Sequence, residues 1–253
     1  MPDQPADPGA GRPSEIRMPD TPASGDTITG ASHAAGTGVH APRSASSAEM
    51  LDSSAPSAAA PSPAAIADPG PLGLAAFAMT TFVLSVFNSN IISDAKLEAV
   101  VLPLALFYGG IGQFAAGMWE FRKGNTFGAT AFSSFGAFWL AYAAYVKFVV
   151  PDLPTASAYK ATGLFLLGWA IFTAYMFLAS LRMSGAVAAV FFTLTATFVL
   201  LCIGALAQNT TVTHAGGIVG LVTAACAWYA SFAVVTNETW KRTLLPTFPL
   251  RPR

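Results

Sequence analysis

Residues 107–139 read FYGGIGQFAAGMWEFRKGNTFGATAFSSFGAFW, and this stretch decides the fold. Two apolar runs meet at Arg122-Lys123-Gly124-Asn125, which leaves room only for a tight turn. Gly124 suits the left-handed residue that ends a helix, and Asn125 or Thr126 suits the cap that starts the next. The two runs are therefore antiparallel helical neighbours. Neither shows the alternation of polar and apolar residues that a membrane β-barrel strand requires. A bilayer core takes about 20 mostly apolar residues per helix, and both runs reach that length.

The same signal recurs on either side of the hairpin. Six apolar spans are predicted, at roughly 72–92, 100–121, 127–149, 161–181, 186–207 and 215–235. The predicted fold is thus all-α, a polytopic membrane protein. Residues 1–67 form an Ala/Pro/Ser-rich tail, 68–240 the six-helix domain and 241–253 a short basic C-terminal tail. The first of these segments has almost no large apolar side chain with which to offset the entropy of ordering, so disorder is expected there. Its opening lacks the basic start and apolar run of a secretory signal, leaving the first span to act as its own insertion signal.

Composition agrees. The chain is 53% hydrophobic and only 10% charged, whereas soluble domains are about a quarter charged. A net charge of zero with no basic run excludes nucleic acid as a partner, whose phosphates demand clustered Lys and Arg. Cys202 and Cys226 lie inside apolar runs and are expected to pack as small apolar residues. No metal-ligand cluster, cofactor motif or paired nucleophile and base is visible, which argues against an enzyme.

Basic residues near span ends are retained in the cytoplasm. With both termini on one side, that side collects Arg122, Lys123, Arg182, Lys241, Arg242, Arg251 and Arg253, against Lys96, Lys147 and Lys160 on the other. Both termini are therefore expected to be cytoplasmic, in a plasma (inner) membrane. Lys147 is expected to snorkel.

Within the spans, small residues such as Gly109, Gly110, Gly112, Ala116 and Gly117, and Gly216, Gly220 and Ala224, point to close helix packing. Thr81, Ser85 and Asn88 form a polar stripe on the first span. Thr126, Thr130 and Ser133 do so on the third, and Thr193 and Thr197 on the fifth. Gln113 and Glu120 share a face of the second. The plainer reading of each stripe is that hydroxyls bond their own helix carbonyls, but together they favour a hydrated path. No Lys or Arg lies near the midplane, so an anion would be handled by neutral donors and helix ends. Asp68-Pro69-Gly70-Pro71-Leu72-Gly73 is expected to keep the mouth non-helical and to leave free donors at the start of the first helix. His214 is expected to open the sixth helix, where it can cap or titrate. Glu120 is either a solvated interfacial acid or a proton carrier, alongside Asp94, Glu98 and His214.

Several segments together resemble the acetate uptake transporter family, also called succinate–acetate permeases, in its bacterial members. They are DPGPLGL at 68–74, MTT at 79–81, the long block at 107–139 and FFTLT at 191–195, continuing through Gly204 and His214 to Asn237-Glu238. The resemblance implies six helices per protomer and a homo-hexamer, each protomer with its own passage for acetate and, in some members, succinate. It implies a constriction at Phe77, Phe135 and Leu194, where Phe135 stands for the family's Tyr, and a selectivity position at Ala227. The polar lining is expected to comprise Thr80 and Thr81 with Ser85, Asn88, Gln113, Thr130, Thr193 and Thr197. The mouth motif of the family reads NPAPLGL, so Asp68 and Gly70 replace Asn and Ala, and an ionised Asp68 would repel a carboxylate.

The expected function is membrane transport of acetate or a similar small mono- or dicarboxylate, as a bare anion or together with a proton. Alternatives are a channel for a neutral solute such as ammonia or water, and a membrane scaffold. Flux is expected to fall on Phe77→Ala or Leu194→Trp.

Overall fold

The computed structural model describes residues 66–94 and 96–250. They form six helices, each long and apolar enough to cross a membrane: α1 Gly70–Asn88, α2 Leu97–Lys123, α3 Thr126–Asp152, α4 Ala158–Ser180, α5 Gly185–Leu206 and α6 Thr210–Thr239. Large apolar side chains such as Leu164, Ile171, Leu178, Phe192 and Phe232 face outward. In water this would be costly; in lipid it is the stable arrangement, and the chain is a multi-pass membrane protein. Of the expected disordered tail, residues 1–65 lie outside the described residues, as do 251–253 at the other end.

The α2–α3 turn forms as its residues dictate. Gly124 takes φ 78°, a left-handed value that a side chain would resist, and its N–H bonds the Phe121 carbonyl at 3.1 Å. Asn125 Oδ1 then accepts the Gly128 N–H at 3.2 Å and caps α3. Midway, α2 widens into π-helical turns over Phe107–Gly112, so that Gln113 opens a fresh α-helical segment with its side chain turned inward.

Glycines let the backbones meet. A Cβ at Gly117 would collide with Ser133 of α3, and one at Gly217 would collide with the backbone of Asn88 and Ser89 at the end of α1. Gly217→Leu is therefore expected to cost most of the folded yield, because the obstruction is main chain that cannot rotate away. Fluorescence-detected size exclusion in detergent would show the loss as aggregate.

Three boundaries differ from expectation. α1 ends at Asn88, well before residue 92, because Asn90 adopts φ 61° and turns the chain. α6 starts at Thr210, capped by Asn209, whose Oδ1 accepts the Val212 N–H at 3.2 Å. His214 thus sits inside α6 and does not open it. The mouth motif is already helical from Gly70, since Pro71 has the φ a first turn needs and Gly73 N–H reaches the Pro69 carbonyl at 3.1 Å.

Beyond α6 the chain folds back. Asn237 holds residues 244 and 245 through three hydrogen bonds of 2.7–3.0 Å. Tyr229 Oη donates to the Pro246 carbonyl at 2.7 Å. Gly185 N–H then donates to the Phe248 carbonyl at 2.6 Å, which satisfies a free donor at the start of α5.

Candidate functional site

Three cavities lie in series through the bundle. The first, about 260 Å³, opens away from the termini and is walled by residues including Phe77, Thr81, Ser85, Asn88, Glu98 and Trp139. The last, also about 260 Å³, lies on the terminus side between Asp68, Gly70, Glu120, Lys123 and Asn125. Between them is a void of only about 20 Å³. It shares Phe77 and Leu194 with the first cavity, and Leu74, Ala131, Phe132 and Phe191 with the last. The three therefore adjoin one another end to end, a lane whose waist is the smallest void.

The waist is apolar and held by rings. Phe77 and Phe135 pack with centroids 5.7 Å apart, and Phe135 is also ringed by Trp169, Phe172 and Phe191 at 5.9, 5.3 and 6.1 Å. Leu194 closes the remaining side and is buried with them. The absent Tyr hydroxyl leaves this ring without a polar atom of its own at Phe135.

Polar atoms flank it instead. Thr81 Oγ1, one turn along α1 from Phe77, is buried without a partner, and so is Trp139 Nε1, one turn along α3 from Phe135. Both line the outer cavity. On the other side Gln113 is 1% exposed, lines the small void and leaves Oε1 unpartnered. Buried polar atoms with nothing to bond are costly, and a lane for a polar solute is where such cost has a use.

Further out, Tyr142 Oη donates to Glu98 Oε1 at 3.3 Å in the wall of the outer cavity. At the terminus side Asp68 Oδ1 accepts the Gly70 N–H at 2.9 Å and lies 2.7 Å from Lys123 Nζ. The charge of Asp68 is thereby paired, and the expected repulsion of an anion is blunted. The pair is partly exposed, and such pairs contribute at most about 1 kcal/mol. Glu120 is 1% exposed, with Oε2 unpartnered in the same wall.

Of the residues singled out from sequence, the lane brings together Phe77, Phe135, Leu194, Thr81, Ser85, Asn88, Thr197, Gln113, Glu120, Asp68, Gly70 and Pro71. It leaves others aside. Thr80 points away, packed over Gly109 with its hydroxyl on the Ala76 carbonyl at 3.0 Å. Thr193 bonds the carbonyls of Ala189 and Val190, and neither it nor Thr130 reaches the three cavities. Ala227 is fully buried in the core behind the lane, and Pro69, Leu72, Gly73 and His214 also lie outside the three walls. Trp139, Tyr142 and the Asp68–Lys123 pair were not anticipated. The i+4 spacing of Trp139 from Phe135 was the available signal for the first.

The pattern of the GPR1/FUN34/yaaH family matches residues 51–252. The chain belongs to that family. It is 41% identical over 184 residues to the succinate-acetate/proton symporter SatP of Escherichia coli K12, covering 72% of this chain and 95% of SatP. It is also 41% identical over 180 residues to the ammonia transport outward protein 2 of Saccharomyces cerevisiae, covering 68% of this chain and 62% of that protein. Its fold superposes on the solved structure of the bacterial acetate channel SatP with a TM-score of 0.67 at 40% identity, covering 72% of this chain and 99% of that one. The sixfold apolar pattern and the waist described above are thus set in a family whose members include carboxylate transporters.

Proposed function

We propose that this family member carries acetate and similar small mono- or dicarboxylates, succinate among them, along the lane between α1, α2, α3 and α5. One observation supports this most directly: a small void ringed by Phe77, Phe135 and Leu194 lies between two roomy cavities, with unpartnered polar atoms in and beside it. Neutral donors without a fixed cation in the throat bind a carboxylate weakly enough to release it. Thr81 Oγ1 and Trp139 Nε1 donate to the anion, Gln113 Oε1 accepts from the protonated acid, and Ser85, Asn88 and Thr197 line the approach. The terminus side is the cytoplasmic side of an inner membrane in this reading, supported by Arg122, Lys123, Arg182, Lys241 and Arg242. A homo-hexamer belongs to the same proposal, supported by the outward apolar surface of α4.

Labelled acetate uptake into liposomes holding the purified protein tests the reading, with propionate, lactate, succinate and formate as competitors at two pH values. Competition by small carboxylates is expected. Uptake of methylammonium in place of acetate would favour the neutral-solute reading that the yeast relative's name suggests, and no flux of either would favour a scaffold.

Glu120 is the proposed proton carrier, because it is buried at the inner end of the lane with one oxygen unpartnered. Glu120→Gln keeps the shape and removes the titrating group. Uptake with and without an imposed inward proton gradient is expected to differ several-fold in the native protein and to become equal in the variant. A gradient response that survives the substitution would remove Glu120 from the role.

A further inference from the structure

The terminus-side cavity already holds a carboxylate, and it belongs to the protein. Asp68 Oδ1 sits on two donors, the Gly70 N–H at 2.9 Å and Lys123 Nζ at 2.7 Å. One is a first-turn amide of a membrane helix and the other an ammonium, a donor set that suits any small carboxylate. Both belong to the wall of the cavity that adjoins the waist. Gly70 gives the arrangement room, since a Cβ there would stand 3.0 Å from Asp68 Oδ1 and 3.5 Å from Glu120 Oε1.

We propose that Asp68 is a tethered competitor: its side chain occupies a carboxylate subsite built by Lys123 and the Gly70 amide, and substrate displaces it on passing through. This rests on the transport reading above and adds a subsite and its occupant. Asp68 precedes the first helical residue and is partly exposed, so its side chain can swing out to water without unwinding α1. A pair this accessible is weakly held and exchanges readily. Among the described residues, the titratable groups in this wall are Asp68 from the approach to α1, and Glu120 and Lys123 from α2; the turn adds the Asn125 amide. A substrate arriving as the free acid passes its proton to Glu120 Oε2, the substrate O–H bond breaking as the Glu120 O–H bond forms. The resulting anion then takes the place of Asp68 on Lys123, whose charge stays paired while Asp68 turns out to water.

The experiment measures the concentration dependence of acetate uptake in liposomes for the full chain and for Asp68→Asn, Lys123→Gln, Lys123→Arg and the Asp68→Asn/Lys123→Gln double variant. Removing the competitor is expected to lower the half-saturating concentration roughly two- to fivefold. Lys123→Gln should raise it, Lys123→Arg should restore it, and Asp68→Asn should have no effect once Lys123 is gone. An Asp68→Asn protein with unchanged or raised half-saturation, or one whose gain persists without Lys123, would overturn the proposal. A second measurement does not need transport: the rate at which an amine-reactive acetyl ester labels Lys123, read by peptide mass spectrometry. Sodium acetate, but not chloride at equal ionic strength, is expected to slow labelling, and more so in Asp68→Asn. Absence of protection there would also refute the subsite. If the native protein carries no acetate yet protection is seen, the transport reading fails and the subsite stands.

Discussion

Leu194→Trp is expected to bring acetate flux in liposomes down to that of protein-free vesicles. Leu194 is a shared wall of the outer cavity and of the void at the waist, and that void measures only about 20 Å³. An indole placed there has no free space to occupy except the lane itself, because Phe135 is fixed by four aromatic neighbours and Phe77 is buried beside it. Overpacking of this kind costs about 1–3 kcal/mol, which the bundle can absorb while remaining folded. A monodisperse elution profile alongside absent flux is the result to look for. Undiminished flux from a folded Leu194→Trp protein would mean that substrate takes another route.

The second large effect concerns the polar flanks. Thr81→Val combined with Gln113→Leu keeps the approximate shapes and removes the unpartnered hydroxyl and amide on either side of the waist. A hydrogen bond to a charged group is worth about 1.5–3 kcal/mol, and about 1.4 kcal/mol is a factor of ten. Acetate flux is therefore expected to fall roughly ten- to a hundredfold. The folded protein should become more stable, because a buried hydroxyl and a buried amide oxygen that lacked partners are gone. Opposite movement of flux and melting temperature distinguishes a role in transport from a role in folding. If both fell together, the two residues would be structural.

How far the sequence could be read depended on the range of the interaction involved. The α2–α3 hairpin was legible because Gly124 and Asn125 act within a few residues of themselves. Phe77, Phe135 and Leu194 were singled out through the resemblance, and periodicity on its own would not have distinguished Phe77 from its apolar neighbours. Thr80 and Thr81 show where such reading stops. Adjacent positions on a helix point about 100° apart, so only one of the two hydroxyls can face the lane, and the packing of Gly109 decides that it is Thr81. Span ends were misplaced in both directions: apolar composition runs past the turn at Asn90, and the polar residues after Asn209 are already helical, since hydropathy does not register a single left-handed residue or cap. The Glu98–Tyr142 contact joins residues 44 positions apart, a separation at which no local pattern operates.

The smallness of the central void has a further consequence for bioenergetics. A space of about 20 Å³ admits one water molecule at most, and Gln113 is the one polar residue in its wall. Proton hopping needs an unbroken file of hydrogen-bonded water, which an aromatic collar of this size interrupts. Vesicles holding the protein are therefore expected to keep an imposed pH gradient as long as carboxylate is absent.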